Sequence, residues 1–250
     1  MDHILSVANH KGGVGKTTSA VNIGAVFAEM GKEVLLIDLD PQGGSTIHFG
    51  IESDGSDLLK AMQNAVSLPV VQTGIDNMSL VPSGPVFAEA RQRFTGVLGT
   101  ELLARSFSRT AGSWDVVIVD CPPSLDMLTV NALRVSRHVL VPLEANRLAM
   151  NSLGQVVETV GLVKKENRSL EILGIVVCRA HPRHRIHKSI MTDIERAFPG
   201  KVAPVVRESV SLAEAPEYKM PVTAYAPDSA GAADYRAVAQ WLAQKIGISV

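Results

Sequence analysis

The sequence predicts an α/β fold, doubly wound, with a mainly parallel sheet flanked by helices. Short apolar, β-branched runs alternate with longer helical patterns over the whole length, as repeated strand–helix–strand units do. The strongest run, Val116-Val117-Ile118-Val119, is continuous rather than alternating, which suits a strand covered on both faces. The first strand also leads through a glycine-rich turn into a helix, the setting that a phosphate-binding loop requires.

In chain order, strands are expected at 4–8, 34–39, 78–81, 115–120, 138–143 and 172–178. Helices are expected at 15–30, 96–110, 124–136, 149–164, 186–198 and 231–246. The Pro- and Gly-bearing stretch 81–85 reads as a loop at a strand end, not as a linker. No repeat or low-complexity segment breaks the pattern, so one domain over 1–250 is expected.

Composition narrows the function classes. With 250 residues, 46% hydrophobic and 20% charged, the chain can bury a large core and is not a disordered one. Its 24 basic and 25 acidic side chains leave a formal charge of −1, so any nucleic-acid binding must come from a local patch. Cys121 and Cys178 stand far apart, which argues against a disulfide scaffold or a paired-cysteine metal motif. No signal-like N-terminus and no apolar stretch of about 18 residues occur, so a cytoplasmic location is expected.

The densest motif is Asn9-His10-Lys11-Gly12-Gly13-Val14-Gly15-Lys16-Thr17-Thr18, between the first strand and the first helix. Glycines allow backbone N–H groups to turn inward around phosphates, and the helix N-terminus adds partial positive charge. Lys16 can place a point charge on the β- and γ-phosphates, and the Thr17 hydroxyl can ligate Mg²⁺. The strict pattern G-x-x-x-x-G-K-[ST] fails because its first glycine falls on His10. An additional lysine, Lys11, stands at the entrance instead.

The run Lys11 to Thr18 resembles the deviant Walker A motif of the ParA/MinD group of P-loop ATPases. Three further segments are more similar to ParA than to its relatives. They are Asp38-Leu39-Asp40-Pro41-Gln42-Gly43 after the second strand, Asp120-Cys121-Pro122-Pro123-Ser124 in the Walker B and switch region, and Leu212-Ala213-Glu214-Ala215-Pro216 near the C-terminus. The resemblance covers essentially the whole chain in the expected order. It implies the P-loop NTPase type of fold, ATP and Mg²⁺ as cofactors, and a slow, partner-stimulated ATPase.

It also implies roles. Lys11, Gly12, Gly13, Val14, Gly15, Lys16, Thr17 and Thr18 would contact nucleotide. Lys11 would reach across an ATP-dependent homodimer to the nucleotide of the other subunit, so the catalytic set is Lys11, Lys16 and Asp40. Asp40 matches the carboxylate beside the attacking water, where it would align the water's oxygen. Asp38 shares a strand-end face with it and is either a site residue or a loop cap. Asp120 and Thr17 would serve Mg²⁺, and Cys121 would pack. In relatives the segments matching 176–179 and 204–208 lie near the base; this chain departs from their Asn or Asp pattern, so adenine contacts stay open.

From Ile172 to Thr192 there is no acidic residue, while Arg179, Arg183, Arg185 and Lys188 stand among His181, His184 and His187. Cations at a helix start oppose its dipole, so helix stability does not explain them. The resemblance implies contacts to nonspecific double-stranded DNA by Arg183, Arg185, Lys188 and Arg207; a solvated basic face is the other reading. Ser211 stands where many relatives have a basic residue, and the first nine residues hold no Lys or Arg. Because the loop begins near residue 10, the operator-binding domain of larger plasmid relatives is not expected.

The alternative function is a MinD-like, membrane-associated positioning ATPase, which needs a basic amphipathic C-terminal helix. Here Tyr235, Val238, Ala239, Leu242 and Ile246 form a stripe accompanied only by Arg236 and Lys245. A core-facing helix and no membrane partner are expected. A metal-cluster ATPase would need paired cysteines, which are missing. The expected function is ATP-driven segregation or spacing of a cargo: a plasmid, a chromosome origin or a protein assembly. A ParB-like or adaptor protein would stimulate hydrolysis, and the ATP state would associate with the nucleoid.

Overall fold

The computed structural model describes residues 3–146, 148–181 and 184–248. Its strands are β1 (Ile4–Val7), β2 (Val34–Asp38), β3 (Val71–Gln72), β4 (Met78–Val81), β5 (Val116–Asp120), β6 (His138–Glu144) and β7 (Glu171–Cys178). They form one sheet in the order β3-β4-β2-β5-β1-β6-β7. Every neighbouring pair is parallel except β3 with β4. The six expected strands are present within one residue at each end; the two-residue edge strand β3 is additional.

Period-two alternation divides the strand side chains between two cores. In β5, Val117 and Val119 join Leu128, Leu153 and Val156 on one face. Val116 and Ile118 join Ala20, Phe27, Val238 and Leu242 on the other. Both faces are therefore covered, which is why these strands read as uninterrupted apolar runs.

The helix Lys16–Glu29 packs against the terminal helix Ala230–Ile246 on one face. Tyr235, Val238, Ala239 and Leu242 are all buried, so the stripe on the terminal helix is committed to the core. No helix among the described residues is long and apolar enough to cross a membrane.

The expected helix 96–110 is divided into Gly96–Gly99 and Leu102–Phe107. Asn131 stabilises the break: its amide donates to Gly99 O at 2.7 Å, and its oxygen accepts from Leu103 N–H at 3.0 Å. Those partners come from a distant helix, so local periodicity could not reveal the interruption. Short helices at Gly44–His48 and Ser56–Asn64 also lie outside the expected set.

The chain passes from β1 to β2 and leaves the position between them for β5, while β6 takes the other side of β1. Such a reversal opens a crevice at the carboxyl ends of the strands. Pro142 helps shape it. Leu140 O accepts from Ala8 N–H at 3.1 Å, so Pro142, two residues on, faces the β1 side with no N–H to offer. Pairing of β6 with β1 stops at Leu140, and the Asn9 side chain donates to Pro142 O at 2.7 Å. The proline thus sits where the ladder to β1 has ended and the glycine loop leaves, while β6 goes on pairing with β7 to Glu144.

Candidate active site

The glycine loop leaves β1 and enters the Lys16–Glu29 helix through Gly15. Gly13 and Gly15 have φ of 75° and 95°, a region that L side chains rarely occupy. A Cβ on Gly15 would also stand 3.2 Å from Cys178 Sγ. Above Gly12 and Gly13 there is open space, so their backbone is approachable. Val14 is buried and can serve a ligand only through its backbone. Asn9 braces the entrance: its oxygen accepts from Lys11 N–H at 3.1 Å and from the Ser152 hydroxyl at 2.6 Å.

The two lysines diverge. Lys16 is buried, and its Nζ donates to Lys11 O at 2.9 Å. Burial lowers its pKa, an effect opposed by Asp120, Cys121 and Asp40. Lys11 Nζ instead lies 3.4 Å from Glu144 Oε2, with both side chains partly exposed. Asn146 holds the same carboxylate oxygen at 3.0 Å.

Asp38 and Asp120 are register partners at the ends of β2 and β5, and both are fully buried. Asp38 caps the following loop. It accepts from Asp40 N–H at 3.1 Å and from the N–H and hydroxyl of Thr46 at 2.9 and 2.8 Å. Burial, reinforced by the Asp120 charge, raises its carboxyl pKa. Asp120 is also raised, chiefly by burial, while the Ser45 hydroxyl counters this from 2.8 Å. Among the described residues Asp120 Oδ1 has no hydrogen-bond partner; Thr17 favours the ionised form without making a sound bond. A buried, orphaned carboxylate oxygen near a hydroxyl fits a hard divalent cation.

One cleft brings Gly12, Gly13, Gly15, Lys16, Thr17 and Thr18 together with Asp40, Pro123 and Arg179. Asp40 is partly exposed there, and its carboxylate accepts from Gln42 N–H at 3.0 Å.

Comparison with known proteins decides the family. A family model described as an AAA domain matches residues 2–172. The Bacillus subtilis (strain 168) sporulation initiation inhibitor protein Soj is 35% identical over 251 residues, which cover 97% of this chain and 99% of that protein. The chromosome-partitioning ATPase Soj of Thermus thermophilus is 34% identical over 238 residues, covering 94% and 93%. The chain belongs to the ParA/MinD family of deviant Walker A P-loop ATPases. Among solved structures, Mycobacterium smegmatis cobyrinic acid a,c-diamide synthase with bound ADP and magnesium superposes with a TM-score of 0.83. It is 31% identical, covering 98% of this chain and 95% of that one.

Beside the phosphate cleft of this ParA-family chain lies a cavity of about 360 Å³. The two share Gly15, Thr18 and Arg179. Cys178, Val206, Glu208, Leu212 and Pro216 also line the cavity, so the end of β7, the 206–209 segment and the C-terminal motif meet at one place. Cys178 there is buried, which pushes its thiol up to about 11, and Cys121 is likewise buried and raised. Neither thiol is primed as a nucleophile.

Arg185 opens the helix Arg185–Ala197, and Lys188 lies in its first turn; both are exposed. Arg183 lies outside the described residues. Arg207 is not a free cation: Asp234 grips its guanidinium at 2.7 to 3.2 Å and its N–H at 2.9 Å. That pairing partly offsets the charge of Arg207, whose guanidinium stays exposed at the surface. The imidazoles of His181, His184 and His187 stand 4.8 to 5.7 Å apart, and His181 Nε2 contacts Glu208 at 2.7 Å. Among the described residues no such group could hold a metal ion.

Ser45, Thr46 and Glu144 are site neighbours that sequence reasoning missed. Their contacts join segments between 8 and 133 residues apart, and no short motif marks them.

Proposed function

We propose that the chain, as one domain over 1–250, is an ATP-hydrolysing partition or positioning protein that uses Mg²⁺. The observation that carries this is the single cleft in which the glycine cradle, Lys16 and Asp40 converge. Gly12, Gly13 and Gly15 leave backbone groups for the phosphates, and Lys16 supplies charge. Bound Mg²⁺ would be served by Thr17 and Asp120 and would neutralise phosphate charge during transfer. Asp40, in the same cleft, aligns the attacking water with the γ-phosphorus. Lys11 does not serve the cleft of its own subunit. It leaves Glu144 and reaches the nucleotide of a second copy, so ATP favours the dimer and hydrolysis releases it.

The dimer binds nonspecific duplex DNA through Arg183, Arg185 and Lys188. Arg207 joins them only if it leaves Asp234. The protein works in the cytoplasm on nucleoid DNA, where an adaptor of the ParB kind stimulates hydrolysis and couples it to a plasmid, a chromosome origin or a protein assembly. Relatives named for chromosome partitioning, together with an exposed basic helix start, support this reading over a membrane-associated one. The test combines sedimentation with DNA binding: ATP should yield a dimer that retains random-sequence duplex, whereas ADP should yield neither. DNA binding equal in the two nucleotides would overturn the coupling. Pull-down on an ATP-locked variant would identify the stimulating partner.

A further inference from the structure

The tripeptide Gly44-Ser45-Thr46 meets three parts of the site: the first turn of the Lys16–Glu29 helix and the ends of β5 and β2. Gly44 lies so close to Thr17 that a Cβ would come within 2.9 Å of its Oγ1. The Ser45 hydroxyl donates to Asp120 Oδ2 at 2.8 Å. Thr46 donates twice to Asp38 and accepts from Ser83 N–H at 2.9 Å. Ser45 is fully buried and Thr46 nearly so. Water therefore does not compete for these bonds.

We propose that Ser45 is a positioning residue for the metal, an inference that rests on the Mg²⁺-ATP reading above. A carboxylate turns easily about its last torsion, because that rotation is broad and two-fold. One short bond from Ser45 fixes the plane of Asp120 by occupying Oδ2. It leaves Oδ1, the oxygen with no partner among the described residues, as the one for the cation. Ser45 also belongs to the short helix that follows the Asp40 loop. That loop is tied back through Asp40 N–H to Asp38, and Asp38 in turn holds Thr46. The loop that carries the water-side carboxylate Asp40 and the hydroxyl that holds the metal-side carboxylate Asp120 thus belong to one braced unit. Ser45 sets the distance between the two carboxylates without touching the reacting atoms.

Outer-shell partners of this kind change metal affinity when lost, typically by about 10- to 100-fold. The experiment uses Mn²⁺ as the probe, titrated by electron paramagnetic resonance into the protein with a non-hydrolysable ATP analogue. Ser45→Ala should weaken Mn²⁺ binding by about 10-fold or more, while Ser45→Thr, which keeps the hydroxyl, should return it toward the wild-type value. In turnover assays, Ser45→Ala should raise the Mg²⁺ concentration needed for half-maximal rate and recover most of kcat at saturating Mg²⁺. Nucleotide affinity in EDTA should be the same for all three proteins. Wild-type Mn²⁺ affinity in Ser45→Ala would overturn the role, as would equal weakening in both variants, which would indicate packing instead of the hydroxyl. Failure of the wild type to bind the analogue would overturn the nucleotide reading itself.

Discussion

Truncating the two loop lysines separately should have opposite consequences, and the geometry sets the size of each. Lys16 is buried, with its Nζ already 2.9 Å from a backbone carbonyl inside the cleft. Much of its desolvation is therefore incurred before ATP arrives, and the phosphates gain a charge-assisted bond to a held donor. Such bonds contribute about 1.5–3 kcal/mol, so Lys16→Ala should weaken ATP binding by roughly 10- to 150-fold. Lys11 is one-third exposed and paired with Glu144 at 3.4 Å, away from the cleft that holds Lys16. An exposed pair of this type is worth less than about 1 kcal/mol, so Lys11→Ala should change monomer affinity by no more than about fivefold. It should, however, abolish ATP-driven dimers. Fluorescent-nucleotide titration at protein concentrations too low for association measures the first quantity, and sedimentation velocity at high concentration measures the second. Equal loss of monomer affinity in both variants would refute the assignment of the two lysines to two nucleotides, as would wild-type dimers in Lys11→Ala.

Asp40→Ala should slow hydrolysis by at least about 100-fold while ATP dimers persist through gel filtration; unchanged turnover would place water alignment elsewhere. If each subunit neutralises about three phosphates, DNA affinity should fall with log salt at a slope near −5. Charge reversal at Arg183, Arg185 and Lys188 should flatten that slope and spare dimerisation, and an unchanged slope would exclude the patch. Asp38 and Asp120 both have raised carboxyl pKa values. Raised acids stabilise the fold below their unfolded value, about 4, and lose that contribution as pH rises through the folded one. The nucleotide-free protein should therefore lose melting temperature from this pair as pH rises from about 4 to about 8. Asp120→Asn should lose less over the same range, and parallel melting profiles would contradict the buried-pair account.

Sequence alone determines the six longer strands and the phosphate loop, because each is a local code. A parallel strand covered on both faces is apolar along most of its length, as Val116 to Val119 are, and a phosphate turn needs glycines where Gly13 and Gly15 adopt positive φ. The family pattern around Lys11, Asp40 and Asp120 is equally local, so the chemistry is legible before the fold is known. Tertiary structure alone decides which of those groups are free. Arg207 reads as an unpaired surface cation until Asp234, 27 residues later, takes its guanidinium. Lys11 reads as a loop charge until Glu144 arrives from β6. The helix expected over 96–110 is interrupted where Asn131 takes up the backbone groups of Gly99 and Leu103. Ser45 gains its meaning only when the chain brings it 2.8 Å from Asp120. Hydrogen bonds and ion pairs act over about 3 Å, and the sequence does not state which distant segments the sheet order will bring within that reach.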